Sequence, residues 1–453
     1  MIGLGKLGSP LAAVLASKGH EVVGVDLNPE YVSSINAGQA PVREPGLQQL
    51  IDANSARLRA TRDIAAATAA SEVSFIIVPT PSGSDGTFSN KHVLAAVVAI
   101  GCALRHSSSY HLVVITSTVM PGATGGALRD ALERNAGREV GDGLGLCYSP
   151  EFIALGSVIA DLLRPDFVLI GESDRRAGDM LQAIYEGVCE DRPTVCRMNF
   201  VNAELTKLAV NTFVTTKVSY ANMIGDICDR LPDADVDVVA AAIGQDGRIG
   251  PKYLKAAMGY GGPCFPRDNI AFAVLARSLG ARADIAEATD RMNRYQLDRM
   301  IERVQGRLSA GTVGILGLAY KPNTAVIDES PSVALVHLLA DKGYRVVGHD
   351  PLALGPAAAV LGSKMIPAET AAECAKQADL LVIATPWPAY RDLSAEDLSR
   401  PAGRLPVIDC WRILQPEMYG DVAEIIYLGF GAESTPVSSL YGSLQRAADE
   451  AAG

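Results

Sequence analysis

The sequence predicts an α/β protein with two doubly wound domains joined by a long central helix and a helical middle segment. Strand-like runs alternate with helical stretches through the first half, and the same alternation resumes near residue 311. Between them lies a stretch almost free of turn residues. At roughly 150 residues per domain the 453-residue chain fits about three compact parts. We place them at 1–200, 201–304 and 305–453. The first strands are expected at Glu21 to Asp26, Ser74 to Val78, Leu112 to Thr116 and Phe167 to Ile170. Their β-branched content, with helices between, implies βαβ units and a parallel sheet buried on both faces. Val93 to Leu104 suits a buried helix and is too short to span a bilayer. From Asn202 to Leu231 apolar residues recur at helical spacing and only Gly225 interrupts, which predicts one helix of ~45 Å. Helical segments continue to about Val304. After Gly306 to Gly311 a second βαβ series follows at Val313 to Leu316, Arg345 to Asp350, Leu380 to Thr385 and Pro406 to Asp409. The Ser-rich tail from about Glu433 is expected to fray.

Composition excludes several classes. With 48% hydrophobic and 20% charged residues the bulk is an ordinary globular chain, not a disordered one. Against 40 Lys+Arg stand 51 Asp+Glu, a net charge of -11, so no footprint for a nucleic-acid backbone exists and any phosphate must be met locally. The eight cysteines form no CxxC pair and read as reduced thiols, seven of them expected to be buried and inert. The six histidines show no HxxH or HExxH spacing, so no metal is expected. MIGLGKLG lacks the layout of a signal peptide, and we expect a cytoplasmic protein without membrane contact.

Gly3-Leu4-Gly5-Lys6-Leu7-Gly8 is a GxGxxG leading into the helical run Pro10 to Lys18, then a strand ending in Asp26. Such glycines allow a tight turn and close backbone approach to a pyrophosphate, which a helix N-terminus holds. Asp26 lies 18 residues after Gly8, where ribose hydroxyls need an acceptor, and its charge repels a 2′-phosphate. This is the dinucleotide pattern of a Rossmann-like domain and selects NAD over NADP. A glycine-rich turn without ligand is the bland alternative. Because the motif begins at residue 3, either the chain starts upstream of Met1 or the first strand is short.

Cys264 sits in Gly259-Tyr260-Gly261-Gly262-Pro263-Cys264-Phe265-Pro266-Arg267-Asp268. Glycines and prolines fix an irregular loop that can expose a thiol, and a neighbouring cation favours thiolate. On chemistry alone, a nucleophile and a packed thiol both stay open.

The decapeptide Gly259 to Asp268 resembles the active-site loop of the UDP-glucose 6-dehydrogenase family, NAD-dependent four-electron nucleotide-sugar dehydrogenases. Further stretches resemble it in order: Val78 to Pro81, Ser117 to Val119, Ser149 to Phe152, Ala203 to Lys207 with Asn211, Asp246 to Gly250, and Gly317 to Thr324 with Glu329 to Pro331. The resemblance runs from residue 1 to about 430. Pro263 and Phe265 point to the glucose branch, because relatives acting on N-acetylated sugars usually carry His and Ile there.

The resemblance implies chemistry and residues. Oxidising a primary alcohol to a carboxylate takes two hydride transfers, and a thiol that captures the intermediate aldehyde prevents its escape. Cys264 would form the thiohemiacetal and then a thioester that water hydrolyses. Lys207 and Asn211, four apart and so on one helix face, would stabilise the developing oxyanion; read alone they are a solvated surface stripe. Asp268 would hold water or share a proton with Lys207, Glu151 would act as general base on the hydrolytic water, and Thr118 would orient water near the nicotinamide. Alone, Glu151 reads as a helix-start acid and Thr118 as a strand-end cap. Gly3, Gly5, Lys6, Leu7, Gly8, Asp26, Thr80 and Thr118 would contact the cofactor. Glu151, Lys207, Asn211, Arg248, Tyr260, Gly261 and Lys321 would contact the nucleotide sugar. Lys321 ends Gly314-Ile-Leu-Gly-Leu-Ala-Tyr-Lys, a strand entering a glycine turn, and offers a point charge to a diphosphate. Arg248 would reach the active site of a second copy, making a homodimer necessary; otherwise it is a surface charge in a turn.

Three departures from the family pattern stand out. Asp328 replaces an arginine before Glu329-Ser-Pro331, Ala325-Val326 replaces an acidic pair, and Ala154-Leu155 replaces a charged pair. They leave the chemistry in place and open the choice between uridine and thymidine. The competing readings are a two-electron 3-hydroxyacid or 6-phosphogluconate-type dehydrogenase and a non-catalytic nucleotide-sugar binder.

Overall fold

The computed structural model describes residues 1–431, and the chain divides into compact units Met1–Val210 and Asn211–Gly453. In the first unit β1 (Val22–Val25) pairs with β2 (Leu58–Thr61), and β3 (Val73–Ile76), β4 (His111–Ile115), β5 (Leu144–Tyr148), β6 (Phe167–Glu172) and β7 (Thr194–Met198) follow in spatial order. Ile2 joins the two sets by parallel bridges to Val25 and Ile76, so the first three residues serve as the central strand. Met1 completes it: its nitrogen donates to Val23 O at 2.8 Å and its carbonyl accepts from Val25 N at 2.8 Å. The resulting order, with strands added first to one side of Ile2 and then to the other, is that of a doubly wound sheet, whose ligands lie at the carboxyl ends of the strands.

Strand β4 explains why continuous apolar runs form here. Leu112 and Val114 pack with Leu11, Val14 and Leu181 on one side of the sheet, while Val113 and Ile115 pack with Val97, Ile100 and Leu132 on the other. Alternate side chains point to opposite faces, so a strand covered on both must be apolar throughout.

In the second unit β8 (Thr312–Leu316), β9 (Arg345–His349), β10 (Ile366–Pro367), β11 (Leu380–Ile383), β12 (Leu405–Asp409) and β13 (Ala423–Tyr427) form one parallel sheet in the order β10-β9-β8-β11-β12-β13. The helices Val236–Gly244, Phe265–Ser278 and Asp284–Gln305 precede it. The long helix runs from Phe200 to Arg230, 31 residues or ~46 Å, and passes through the division between the units. Near its end Asp229 meets two arginines of the helix Asp284–Gln305, Arg299 through Oδ2 and Arg303 through Oδ1, and Oδ1 also accepts from Gly429 N at 2.7 Å.

Several expectations need correction. The sheet of the first unit is not wholly parallel, because β6 pairs with β5 in the antiparallel sense, Cys147 opposite Glu172 and Tyr148 opposite Gly171. A buried apolar strand reads the same in either direction, so local sequence does not reveal this. Strands β2, β7, β10 and β13 were not expected. The first helix is Gly8–Ser17 and starts two residues before the expected Pro10. Cys102 is exposed like Cys264, and Cys196 is half-buried; the remaining five cysteines are buried. The expected fraying beyond Glu433 lies outside the described residues. Among the described residues no helix is long and apolar enough to cross a membrane, and no group of His, Cys, Asp and Glu could hold a metal.

Candidate active site

In the first unit the glycine loop connects the central strand to the helix Gly8–Ser17. Gly3 has φ +99°, and a Cβ there would stand 2.2 Å from Ile77 O. A Cβ on Gly8 would stand 2.0 Å from Gly3 O. These two glycines are demanded by the packing of the loop itself. Gly5 differs: nothing lies within 4 Å of its Cβ position, which leaves open space for a ligand's pyrophosphate against the backbone. Lys6 is exposed and Leu7 half-buried beside it. Asp26, half-buried at the end of β1, accepts from Leu4 N at 2.7 Å and from Asn28 N at 2.8 Å, and so holds the loop. The residues fit a dinucleotide: a glycine loop, a helix start and a strand-end carboxylate in their expected order.

The loops after β3 and β4 are stitched together. Thr80 Oγ1 donates to Thr118 O at 2.7 Å, and Val78 N donates to Ser117 Oγ at 2.8 Å. After β5 comes Glu151, whose Oε1 accepts from Tyr185 Oη at 3.1 Å. Burial pushes its carboxyl up to about 7, with the Tyr185 bond and the Lys207 charge acting in the opposite direction. Lys207 is nearly buried; its Nζ donates to the Glu151 carbonyl at 2.7 Å and lies 4.5 Å from the centre of the Phe152 ring. The structure thus brings Glu151 and Lys207 together.

In the second unit Asn211, one helical turn beyond Lys207, is also nearly buried, and its Nδ2 donates to Asp268 Oδ2 at 2.6 Å. Asp268 is buried and receives Arg267 Nε at 3.4 Å on its other oxygen. Its backbone N donates to Cys264 O at 2.8 Å, because Cys264 is the N-cap of the helix Phe265–Ser278. Cys264 is exposed. This puts the thiol at the start of a 14-residue helix, the positive end of the helix dipole.

The cysteine loop is shaped by its neighbours. Tyr260 is buried, its backbone N donating to Asn293 Oδ1 at 2.8 Å and its carbonyl accepting from Asn293 Nδ2 at 2.9 Å. A Cβ on Gly261 would stand 2.2 Å from Glu329 O. One on Gly262, at φ +85°, would stand 2.5 Å from the Tyr320 ring. Gly262 N donates to Asp328 O at 3.0 Å, so the 320–330 loop lies directly against the cysteine loop. Lys321 is half-buried, its Nζ 5.9 Å from the centre of the Tyr320 ring. The buried Asp350 accepts from Leu318, Ala319, Leu352 and Ala353 N–H groups and from the Trp387 indole. Asp350 ends β9 as Asp26 ends β1, but five donors leave it no capacity for a ribose.

Arg248 is exposed in a turn. Its exposed guanidinium pairs with Asp246, Nη2 to Oδ2 at 2.6 Å, in the turn that Lys217 pins through Ile249 O and Gly250 O.

Known proteins decide the family. Residues 1–189 match the NAD binding domain of the UDP-glucose/GDP-mannose dehydrogenase family, 201–295 its central domain and 314–416 its UDP binding domain. The UDP-glucose 6-dehydrogenase AglM of Haloferax volcanii is 36% identical over 405 residues, 87% of this chain and 93% of that protein. The chain belongs to the UDP-glucose/GDP-mannose dehydrogenase family. A UDP-glucose 6-dehydrogenase of Rhizobium meliloti is 35% identical over 408 residues, 88% of this chain and 91% of that protein. The solved UDP-glucose dehydrogenase of the archaeon Pyrobaculum islandicum superposes with a TM-score of 0.86 at 35% identity, covering 95% of this chain and 96% of that one. The protein is therefore an NAD-dependent nucleotide-sugar dehydrogenase.

The roles of three side chains in this dehydrogenase escaped sequence reading. Tyr185 bonds Glu151, Tyr320 packs on Gly262, and Glu204 accepts from Gly122 N and Thr124 N. The spacing of Glu204 and Lys207, i and i+3 on one helix face, was the available signal for the last.

Proposed function

We propose that this dehydrogenase oxidises the C6 alcohol of a nucleoside-diphosphate glucose to the uronic acid in two steps, UDP-glucose being the favoured substrate and dTDP-glucose the alternative. The observation that carries the reading is an exposed thiol, Cys264, at a helix N-cap, with the Asp268–Asn211 pair one turn along. NAD, when bound, accepts a hydride in each oxidation. Gly3, Gly5, Lys6, Leu7, Gly8, Asp26, Thr80 and Thr118 would hold it.

The chain's own residues do the rest. Asn211 and Lys207 donate to the sugar oxygen as charge develops, and Asp268 receives the alcohol proton directly or through water. The Cys264 thiolate adds to the aldehyde carbon, forming a thiohemiacetal that keeps the sugar bound. Its oxidation leaves a thioester. Glu151 takes a proton from water, which attacks the thioester and expels the thiolate. Glu151 suits this role because its proton affinity is raised towards neutrality. Thr118 would orient water near the nicotinamide. Tyr260, Gly261 and Lys321 would bind the sugar and diphosphate.

We further infer the division 1–200, 201–304 and 305–453, supported by the limits of the family matches. A homodimer is supported by Phe213, Tyr220 and Ile227, exposed at seven-residue spacing on the long helix. In that dimer Arg248 would leave Asp246 to reach the neighbouring sugar site. Following NADH formation over UDP-glucose, dTDP-glucose, GDP-mannose and the N-acetylated UDP-hexosamines tests the proposal. It expects about two NADH per UDP- or dTDP-glucose. One NADH per sugar selects the two-electron reading, and nucleotide binding without NADH selects the non-catalytic one.

A further inference from the structure

Glu204 is a carboxylate that the proposed chemistry does not use. It lies on the long helix three residues before Lys207 and has no exposed surface. An acid withdrawn from water this completely needs strong compensation. Its partners include two backbone groups: Oε2 accepts from Gly122 N at 2.6 Å and Oε1 from Thr124 N at 2.7 Å. Both bonds are short, as charge-assisted bonds are. Gly122 has φ +96°, a conformation that L side chains rarely adopt.

The loop held this way begins at the end of β4 and carries Thr118, whose carbonyl is in turn bound by Thr80 Oγ1. One helix face therefore fixes two loops. Glu204 sets the loop after β4, and Lys207 sets the loop after β5 through the Glu151 carbonyl. We propose that Glu204 is a positioning residue for the nicotinamide side of the NAD site, holding the Thr118 loop in register with Lys207 and Glu151. The inference rests on the cofactor role given to Thr80 and Thr118 above. Glu204 touches no reacting atom.

A glutamine there presents one carbonyl and one NH2 to two N–H donors, so one bond is lost and an N–H faces an N–H. Losing one hydrogen bond to a charged group corresponds to about tenfold at the least. In the full-length protein Glu204→Gln is expected to raise KM for NAD about tenfold. KM for the nucleotide sugar and the pH at which turnover falls should stay at wild-type values. Gly122→Ala approaches the same loop from its other end. Its Cβ meets nothing within 4 Å, so only the left-handed backbone is strained, and a rise in KM for NAD of about fivefold is expected. A Glu204→Gln enzyme with unchanged KM for NAD, or with both KM values raised equally, overturns the inference. Should Glu204→Gln not fold, the same outcomes are read from Gly122→Ala. Failure of the underlying cofactor reading looks different: Thr80→Ala and Thr118→Ala would then leave KM for NAD unchanged in an otherwise wild-type enzyme.

Discussion

Replacing Gly262 with alanine isolates what the 320–330 loop does to the cysteine loop. At φ +85° a non-glycine residue costs roughly 1–2 kcal/mol. The new Cβ, 2.5 Å from the Tyr320 ring, adds about 1–3 kcal/mol of overpacking. Together these amount to roughly 2–5 kcal/mol against the native loop, or about 30- to 4,000-fold at 1.4 kcal/mol per factor of ten. The assay is kcat/KM for NADH formation in a double-mutant cycle with Tyr320→Ala. Removing the ring removes the clash and leaves the backbone strain. Gly262→Ala should therefore be less harmful in the Tyr320→Ala background by about 1–3 kcal/mol. Effects that add to within roughly 0.5 kcal/mol would refute the claim that Tyr320 bears on Cys264 through Gly262.

Other outcomes follow from individual residues. Because Glu151 must be ionised to act as base and its carboxyl is pushed up to about 7, turnover limited by hydrolysis should fall below about pH 7, and Glu151→Gln should lose this dependence; a pH profile of kcat checks it. His111, buried against Ser74 Oγ at 2.9 Å, is pushed down from 6.5 to about 4 by burial. The unfolded chain then binds the extra proton first, so unfolding free energy in urea should drop by about 3 kcal/mol as pH falls from about 6.5 to 4, and His111→Asn should flatten that slope. Phe213→Glu puts a charge into the exposed apolar stripe of the long helix and should shift sedimentation from dimer to monomer. If Arg248 serves the neighbouring site, activity falls with the dimer.

Much of this architecture is written locally. The glycine loop, Asp26 and the apolar runs of β4, β8 and β11 are read directly, because burial on both faces demands uninterrupted hydrophobic residues. Strands such as β2, Leu58–Thr61, and β7, Thr194–Met198, are half-exposed and short, and their sequences carry no clear period. The direction of β6 is set by pairing between distant segments, which local composition does not encode. Among site residues, those in the cysteine loop stand out through glycine and proline. Glu204 and Tyr185 do not: an acid on a helix reads as solvated and a tyrosine as core. Only the fold shows that their polar ends meet Gly122, Thr124 and Glu151.

The central claim is covalent capture by Cys264. Enzyme mixed with UDP-glucose and NAD at a pH below 7, where a protonated Glu151 slows hydrolysis, can be quenched in acid and its Cys264 peptide weighed. The account predicts a sugar-nucleotide acyl adduct on that peptide, absent from Cys264→Ala. A Cys264→Ala enzyme that still makes the uronic acid at the wild-type rate, with two NADH per sugar, would contradict it.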